Sequence, residues 1–525
     1  MVAMNLPAPS LLIGHPKFPE WYPGQDVAFS STMDWLASGK RFYCLSVPTG
    51  SGKSLLAILA AKMSGRRTII LTATKGLQDQ IMGDFASIGA VNIKGQNNYR
   101  CTLDPSLRVD DGPCHDGIKC EYKANGCPYY ERLAEAIASP IVVTNYAYYM
   151  AQIGHSSGLG HIDLLVMDEA HMAFSTLESY LQCFFGRDEI GPFGIEFPQT
   201  NEWMEWKLWA SRSRHIVSAE LDRTKAEASS LSSIGHPVPS ALSRRNRTLK
   251  LLEHKMATIA GAIGKWIAQK SGSGWRLSPV WVSQYGPGIF QDTPKVLLMS
   301  AILSEKTVDA IGVPKSERDF LVMDSYFPID STPVVHVPTA RINHRLDEYG
   351  AVIWATRIDQ IIQRRTDRKG IVFTVSYKRR DDLMQRSRYN SIMMSHSRED
   401  VIRMVERFRE SKAPSVFISP SVTSGWDFPE DDCRYIVIGK IPYPDTRDPV
   451  MKERTKDDKD WTSFMAMETL VNEAGRGTRS RLDKCEVLIV DDSWKWFYPS
   501  YKQFAPTWFQ DRVVGSVASV PDPLI

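Results

Sequence analysis

An α/β protein built on parallel sheets is the fold class this sequence predicts, on three observations. Strand, glycine-rich loop and helix character follow one another through "CLSVPTGSGKS" and "LLAILAAKM" (44–63). A second apolar run, "HIDLLVMDEAH" (161–171), ends in paired carboxylates. The chain has 525 residues, 43% of them hydrophobic, enough for a large core divided into about three or four domains.

The first stretch has the order a phosphate-binding loop requires. Gly50 and Gly52 let backbone N–H groups approach phosphates, Thr49 and Ser51 complete the turn, Lys53 reaches the terminal phosphates and the Ser54 hydroxyl suits Mg²⁺. Val47 stands where the strict pattern has glycine. The second run reads as a fully buried parallel strand, whose C-terminal end faces the crevice where such sheets bind nucleotides. Asp168 is expected to hold Mg²⁺ and Glu169 to polarise the attacking water.

The net charge is only +3, so affinity for nucleic acid must come from local basic stripes. No apolar run approaches the ~18 residues a membrane span needs, and the N-terminus lacks a basic stretch before its short apolar one. The reading is a cytoplasmic protein, where reduced thiols bind metal or lie buried. Cys44, Cys183, Cys433 and Cys485 are scattered and expected in the core. Cys101, Cys114, Cys120 and Cys127 share one polar segment with 12, 5 and 6 residues between them. That segment has few aliphatic side chains, so a metal centre is the natural way for it to fold. Four thiolates suit an iron–sulfur cluster or structural zinc, although zinc sites usually show two short Cys-x₂₋₄-Cys pairs.

The ordered blocks of the chain resemble a superfamily 2 helicase with a DEAH box, of the DinG/XPD iron–sulfur type. "FPEWYPGQ" resembles the adenine-recognition block with Gln25 as base reader, and "LTATKGLQDQ" (71–80) the block that grips a nucleic-acid backbone. "KGQNNYRC" and "CPYYERLAEAIASPIVVTNYAYYM" flank the cysteines as in that family, and "VLLMSAILSE" takes the place of the coupling block. "GIVFTVSY", "SVTSGWDFP", "GKIPYPDTRDP" and "NEAGRGTRS" follow in family order. Tyr22 stands where an arginine is usual, Ile302 where a threonine is, Asn472 where a glutamine is, and Glu430 where a glycine is common.

The resemblance implies two RecA-like P-loop motor domains, with an iron–sulfur insertion and a mainly helical arch insertion in the first. Residues 1–95, 136–175 and 276–335 would form the first motor domain, 96–135 the cluster domain with the four cysteines around [4Fe–4S], 176–275 the arch, and 336–525 the second motor domain. Gly425 and Asp427 would complete the nucleotide site, and Arg476 and Arg479 would act on the γ-phosphate as a finger in cis. Thr72, Thr74, Asn145, Thr374 and Ser376 match family positions near the strand, and Tyr99 and Tyr146 are placed to stack on a base. Within the arch, Trp203, Trp206 and Trp209 read as helix core or as base-stacking platforms, and "SRRNRTLK" (243–250) as a phosphate contact or a solvated face.

The activity implied is an ATP-dependent DNA helicase moving 5′→3′, a monomer working on single strands and on forked or tailed duplex in the cytoplasm of a bacterial or phage-infected cell. Two other readings stand beside it: a translocase that remodels complexes with little unwinding, and a redox- or damage-sensing nucleic-acid-binding ATP switch.

Overall fold

The computed structural model describes residues 6–85, 88–116, 120–153, 158–234, 236, 238–420, 426, 428–478 and 483–525. Two seven-stranded parallel sheets dominate it. Across the first, the order is Arg318–Val322, Phe42–Ser46, Lys295–Ser300, Leu164–Asp168, Thr68–Thr72, Ile141–Asn145 and Ala90–Asn92. Across the second it is Met393–Ser395, Ser415–Ser419, Lys369–Phe373, Tyr435–Ile438, Glu486–Asp491, Val334–Ala340 and Val513–Ser516.

The central strands are short, continuous apolar runs because helices cover both faces of each sheet. Alternation sorts them: Phe42 and Cys44 enter one core of the first sheet, while Tyr43 and Leu45 enter the other. The second sheet divides likewise, with Ile371 and Phe373 on one side and Val372 on the other. Cys44, Cys183, Cys433 and Cys485 are buried, as expected.

Register sets the site. Ser46 pairs with Ser300 and Asp168 with Met299, so the phosphate loop, the carboxylate pair and Ser300 leave three adjacent strands at one level. Between Leu164–Asp168 and Lys295–Ser300 the chain makes a helical hairpin, Trp203–Ser233 and Ser240–Ala260. A three-stranded antiparallel sheet of Cys183–Gly186, Gly274–Pro279 and Trp266–Ser271 accompanies it, which the helical pattern did not announce. The tryptophan stripe is core: Trp206 is fully buried, Trp203 stacks on Trp266 at 5.5 Å, and Trp209 meets Phe185 edge-on at 5.1 Å. Arg247 of the hairpin donates to the Asp111 carbonyl at 2.9 Å, tying it to the cysteine segment.

The halves are joined by charged side chains set among rings, Arg454 buried and Lys306 half-buried. Arg454 donates to the Val280 carbonyl at 2.6 Å and to Glu178 at 2.7 Å, and its guanidinium lies 4.8 Å from the Phe174 ring centre. Lys306 pairs with Asp458 at 2.5 Å, with its ammonium 5.2 to 5.9 Å from the rings of Phe504, Phe464 and Trp461. Ala301 and Ile302 pack into the second sheet's core, and Trp508 donates to the Ala301 carbonyl at 3.2 Å. Where the family threonine would supply a hydroxyl, Ile302 supplies apolar contact between the halves. Among the described residues, no helix is long and apolar enough to cross a membrane.

Candidate functional site

The chain after Phe42–Ser46 turns through Val47–Gly52 into the helix Lys53–Ser64. Gly50 and Gly52 have φ of 80° and 75°, which only glycine adopts without strain. The first-turn N–H groups of this helix therefore point out of the turn, as anion binding requires. Lys53 is 8% exposed and its Nζ stands 3.6 Å from Glu169 Oε1.

Asp168 is buried at its strand end, and burial, then the Glu169 charge, push its carboxyl up; Lys53 and the Glu169 N–H, at 3.0 Å from Oδ1, pull it back. Glu169 itself has φ 51°, a left-handed turn that swings its side chain from the strand towards Lys53 and His171. His171 Nδ1 is 2.8 Å from Ser300 Oγ and 3.3 Å from Glu169 Oε2, linking carboxylate, imidazole and the neighbouring strand. His171 and Ser300 belong to blocks legible in the sequence, but their contact is a product of register.

The second sheet faces this cluster with Arg476. It is 5% exposed, donates to the Trp426 carbonyl at 3.1 Å and to Asn472 Oδ1 at 3.0 Å, and feels the charges of Glu169 and Glu473. Asn472, shorter than the family glutamine, thus still holds the guanidinium. A Cβ placed on Gly475 would lie 3.5 Å from Thr49 Oγ1, so the phosphate loop and the Arg476 turn are in contact. Tyr326 donates to the Gly50 carbonyl at 3.0 Å, a loop partner that no local pattern signals. Ser51 and Ser54 lie on the loop and its helix; Gly425, Asp427 and Arg479 lie outside the described residues.

The strand candidates divide into two kinds. Thr72 Oγ1 donates to the Thr74 carbonyl at 3.0 Å, and Thr74 Oγ1 accepts the Leu77 N–H at 3.2 Å at the start of Lys75–Phe85. In the second half Thr374 Oγ1 donates to the Ser376 carbonyl at 3.3 Å, and Ser376 Oγ accepts the Arg379 N–H at 3.2 Å at the start of Tyr377–Arg386. One local device, a threonine bracing a turn and a hydroxyl capping the next helix, recurs in both halves without sequence identity. Thr72 and Thr374 are fully buried, so they shape these turns rather than offer a hydroxyl to a strand.

Asn145 and Tyr146 are likewise engaged within the fold. Asn145 caps its helix through the Tyr148 N–H and donates to Gln78 at 3.2 Å, while Tyr146 is 1% exposed with its hydroxyl on the Asp168 carbonyl at 2.9 Å. Tyr146 has no open face for a base; it props the strand end that carries the carboxylates. Tyr99 is half-buried, edge-on to Tyr129 at 5.7 Å, with its hydroxyl accepting the Lys94 N–H.

In the cysteine segment, Cys101 and Cys114 both border Gly112. A Cβ on Gly112 would lie 3.3 Å from Cys101 Sγ and 3.7 Å from Cys114 Sγ. Burial, then the charges of Cys120, Cys101 and Cys127, push the Cys114 thiol up. Among the described residues, no three His, Cys, Asp or Glu side chains are arranged to hold a single metal ion.

Residues 18–187 match the family model for the type III restriction enzyme res subunit, and residues 359–512 that for a helicase C-terminal domain. The chain is similar to superfamily 2 helicases of the XPD/DinG type, with a helicase C-terminal domain matched in its second half. Its fold is similar to a solved structure titled XPD helicase, with a TM-score of 0.65 at 15% identity, over 95% of this chain and 100% of that one. An XPD structure titled as the apo form gives 0.61 at 15% identity over 94% and 100%, and S. tokodaii Xpd4 gives 0.57 at 13% over 92% and 98%. No curated protein matches the chain. The chain keeps that fold across nearly its whole length, at an identity that leaves each side chain's role to be argued from its own geometry.

Proposed function

We propose that the chain is a helicase that couples ATP hydrolysis to 5′→3′ movement along single-stranded DNA and separates duplex ahead of it. One observation carries the reading: the Lys53–Glu169 pair of the first sheet faces Arg476 of the second, close enough for the charges of Glu169 and Arg476 to interact. Such a site works only when both halves close on one nucleotide, so each turnover opens and shuts the cleft between them. Lys53 and the loop amides bind the phosphates, Glu169 orients and polarises water, and Arg476 stabilises charge on the transferred phosphoryl group. Ser54 and Asp168 fit Mg²⁺, since the Asp168 carboxylate, strained by burial and by Glu169, is relieved by a cation; the ion supplies charge neutralisation at the phosphates. Gly425, Asp427 and Arg479 are proposed to complete the site.

The capped helices beginning at Lys75 and Tyr377 present backbone N–H groups on each half, a sequence-blind way to hold successive phosphates, with Thr74 and Ser376 at the contact. We assign Cys101, Cys114, Cys120 and Cys127 to a [4Fe–4S] cluster, supported by the place of the segment in the chain and by the approach of Cys101 and Cys114 to Gly112. The cluster supplies crosslinking that pins this polar segment. The segment and the hairpin joined by Arg247 are proposed as separate insertions, 96–135 and 176–275, in a first motor domain of 1–95, 136–175 and 276–335, with 336–525 as the second.

Matched 5′-tailed and 3′-tailed DNA duplexes, and their RNA counterparts, test the reading with ATP and Mg²⁺. Unwinding of the 5′-tailed DNA alone is expected. Unwinding of the 3′-tailed duplex alone refutes the polarity, and strand-stimulated hydrolysis without unwinding of any substrate favours a translocase.

A further inference from the structure

The Gln25 side chain, which the family resemblance makes a base reader, is buried and has both its N–H donors engaged elsewhere. Its Nε2 donates to the Ser51 carbonyl at 3.1 Å and the Gly52 carbonyl at 3.4 Å, and its Oε1 accepts the Tyr22 N–H at 3.2 Å. A carboxamide has two N–H donors, so both are used on the phosphate loop. The residue is 1% exposed, and a Cβ on Gly52 would collide with its Nε2. To read the edge of a base, Gln25 would have to release the loop that binds the phosphates.

What the site does expose is a ring. Tyr22 is 47% exposed, and a Cβ on Gly52 would lie 3.8 Å from its Cδ2, which places the ring at the mouth of the phosphate loop. Its centre is 5.8 Å from that of Tyr326, whose hydroxyl holds the Gly50 carbonyl at 3.0 Å. An aromatic face binds any base, because every base has a π face, whereas hydrogen-bond readout needs free donors and acceptors.

We infer that Tyr22 is the platform on which the nucleotide base stacks and that Gln25 is a positioning residue for the phosphate loop, so that the site selects the triphosphate and discriminates weakly among bases. This rests on the nucleotide-driven reading above and names the substrate range of that same site. Purines should outrank pyrimidines through stacking area, with ATP and GTP nearly equal. A site that hydrogen-bonds its base would instead reject the wrong one by about 10⁴ or more.

The test is steady-state hydrolysis of ATP, GTP, CTP and UTP by the full chain, with single-stranded DNA and Mg²⁺. Wild-type kcat/KM for ATP and GTP is expected within about tenfold, the range left when no polar group is unpaired. Tyr22→Ala should raise KM for every nucleotide by about tenfold with kcat less affected, and Tyr22→Phe should restore it, since the ring matters and the hydroxyl does not. Gln25→Ala should lower kcat/KM for ATP and GTP by one common factor. The inference is overturned by an ATP preference of about 10² or more in the wild type, or by a Gln25→Ala protein that loses ATP turnover while GTP turnover stays. Hydrolysis of no nucleotide at all would overturn the motor reading itself, an outcome distinct from ATP-selective turnover.

Discussion

Lys53 Nζ lies 3.6 Å from Glu169 Oε1, so the cation assigned to phosphate and the carboxylate assigned to water are partners across two strands of one sheet. Because they do different work, their substitutions should separate. Lys53→Ala should cost nucleotide affinity, whereas Glu169→Gln should bind nucleotide near normally and turn over at least about 10²-fold more slowly. Fluorescent-nucleotide titration beside steady-state hydrolysis measures both. Wild-type turnover in either protein would remove these residues from the mechanism.

Arg476 sits among Asn472, Glu473 and the Trp426 carbonyl, held before any phosphate arrives. Arg476→Ala should lower kcat by about 10² or more while nucleotide affinity changes much less, because the charge it meets develops in the transition state. A collapse of affinity with unchanged turnover at saturating ATP would assign it to ground-state binding instead.

For the cysteines, protein prepared without oxygen should be brown, with iron and sulfide near about four each per chain. Cys114→Ser or Cys120→Ser should lose iron and unwinding yet keep nucleotide binding, since the phosphate loop belongs to a different part of the first sheet. Stoichiometric zinc without iron, or full unwinding by an iron-free variant, would end the cluster assignment.

Burial pushes the Glu473 carboxyl up to about 8, with the Arg476 charge pulling the other way. Its ordinary value is 4.5, so between 4.5 and about 8 the folded chain keeps a proton that the unfolded chain has lost. Stability from this group is therefore present at low pH and lost as pH rises through about 8. Glu473→Gln, neutral throughout, should raise Tm over wild type by about 2 °C or more at pH 9 and by less at pH 6. Equal shifts at the two pH values would show that Glu473 is ionised in the folded protein throughout.

Much of the site is legible in the sequence because its signals are local. A glycine at positive φ, an apolar five-residue strand and the loop-to-helix order depend on neighbours a few residues away, and "PTGSGKS" and "LLVMDEAH" state them in their own letters. The parallel α/β class, the buried scattered cysteines and the tryptophan core follow from the same short-range patterns. Tertiary structure decides what a side chain does once it is surrounded. Tyr146 and Asn145 carry the letters of a strand contact, yet the sheet end closes over them and spends their polar atoms on Asp168 and Gln78. Gln25 is drawn to the carbonyls of Ser51 and Gly52, 26 and 27 residues on, a pairing that exists only once the helix before the first strand packs on the phosphate loop. Arg454 is buried and Lys306 half-buried because distant rings and carboxylates pack around them. Sequence patterns specify backbone geometry because that geometry is set by neighbours along the chain; burial and hydrogen-bond partners are set by neighbours in space, and only the folded chain brings those together.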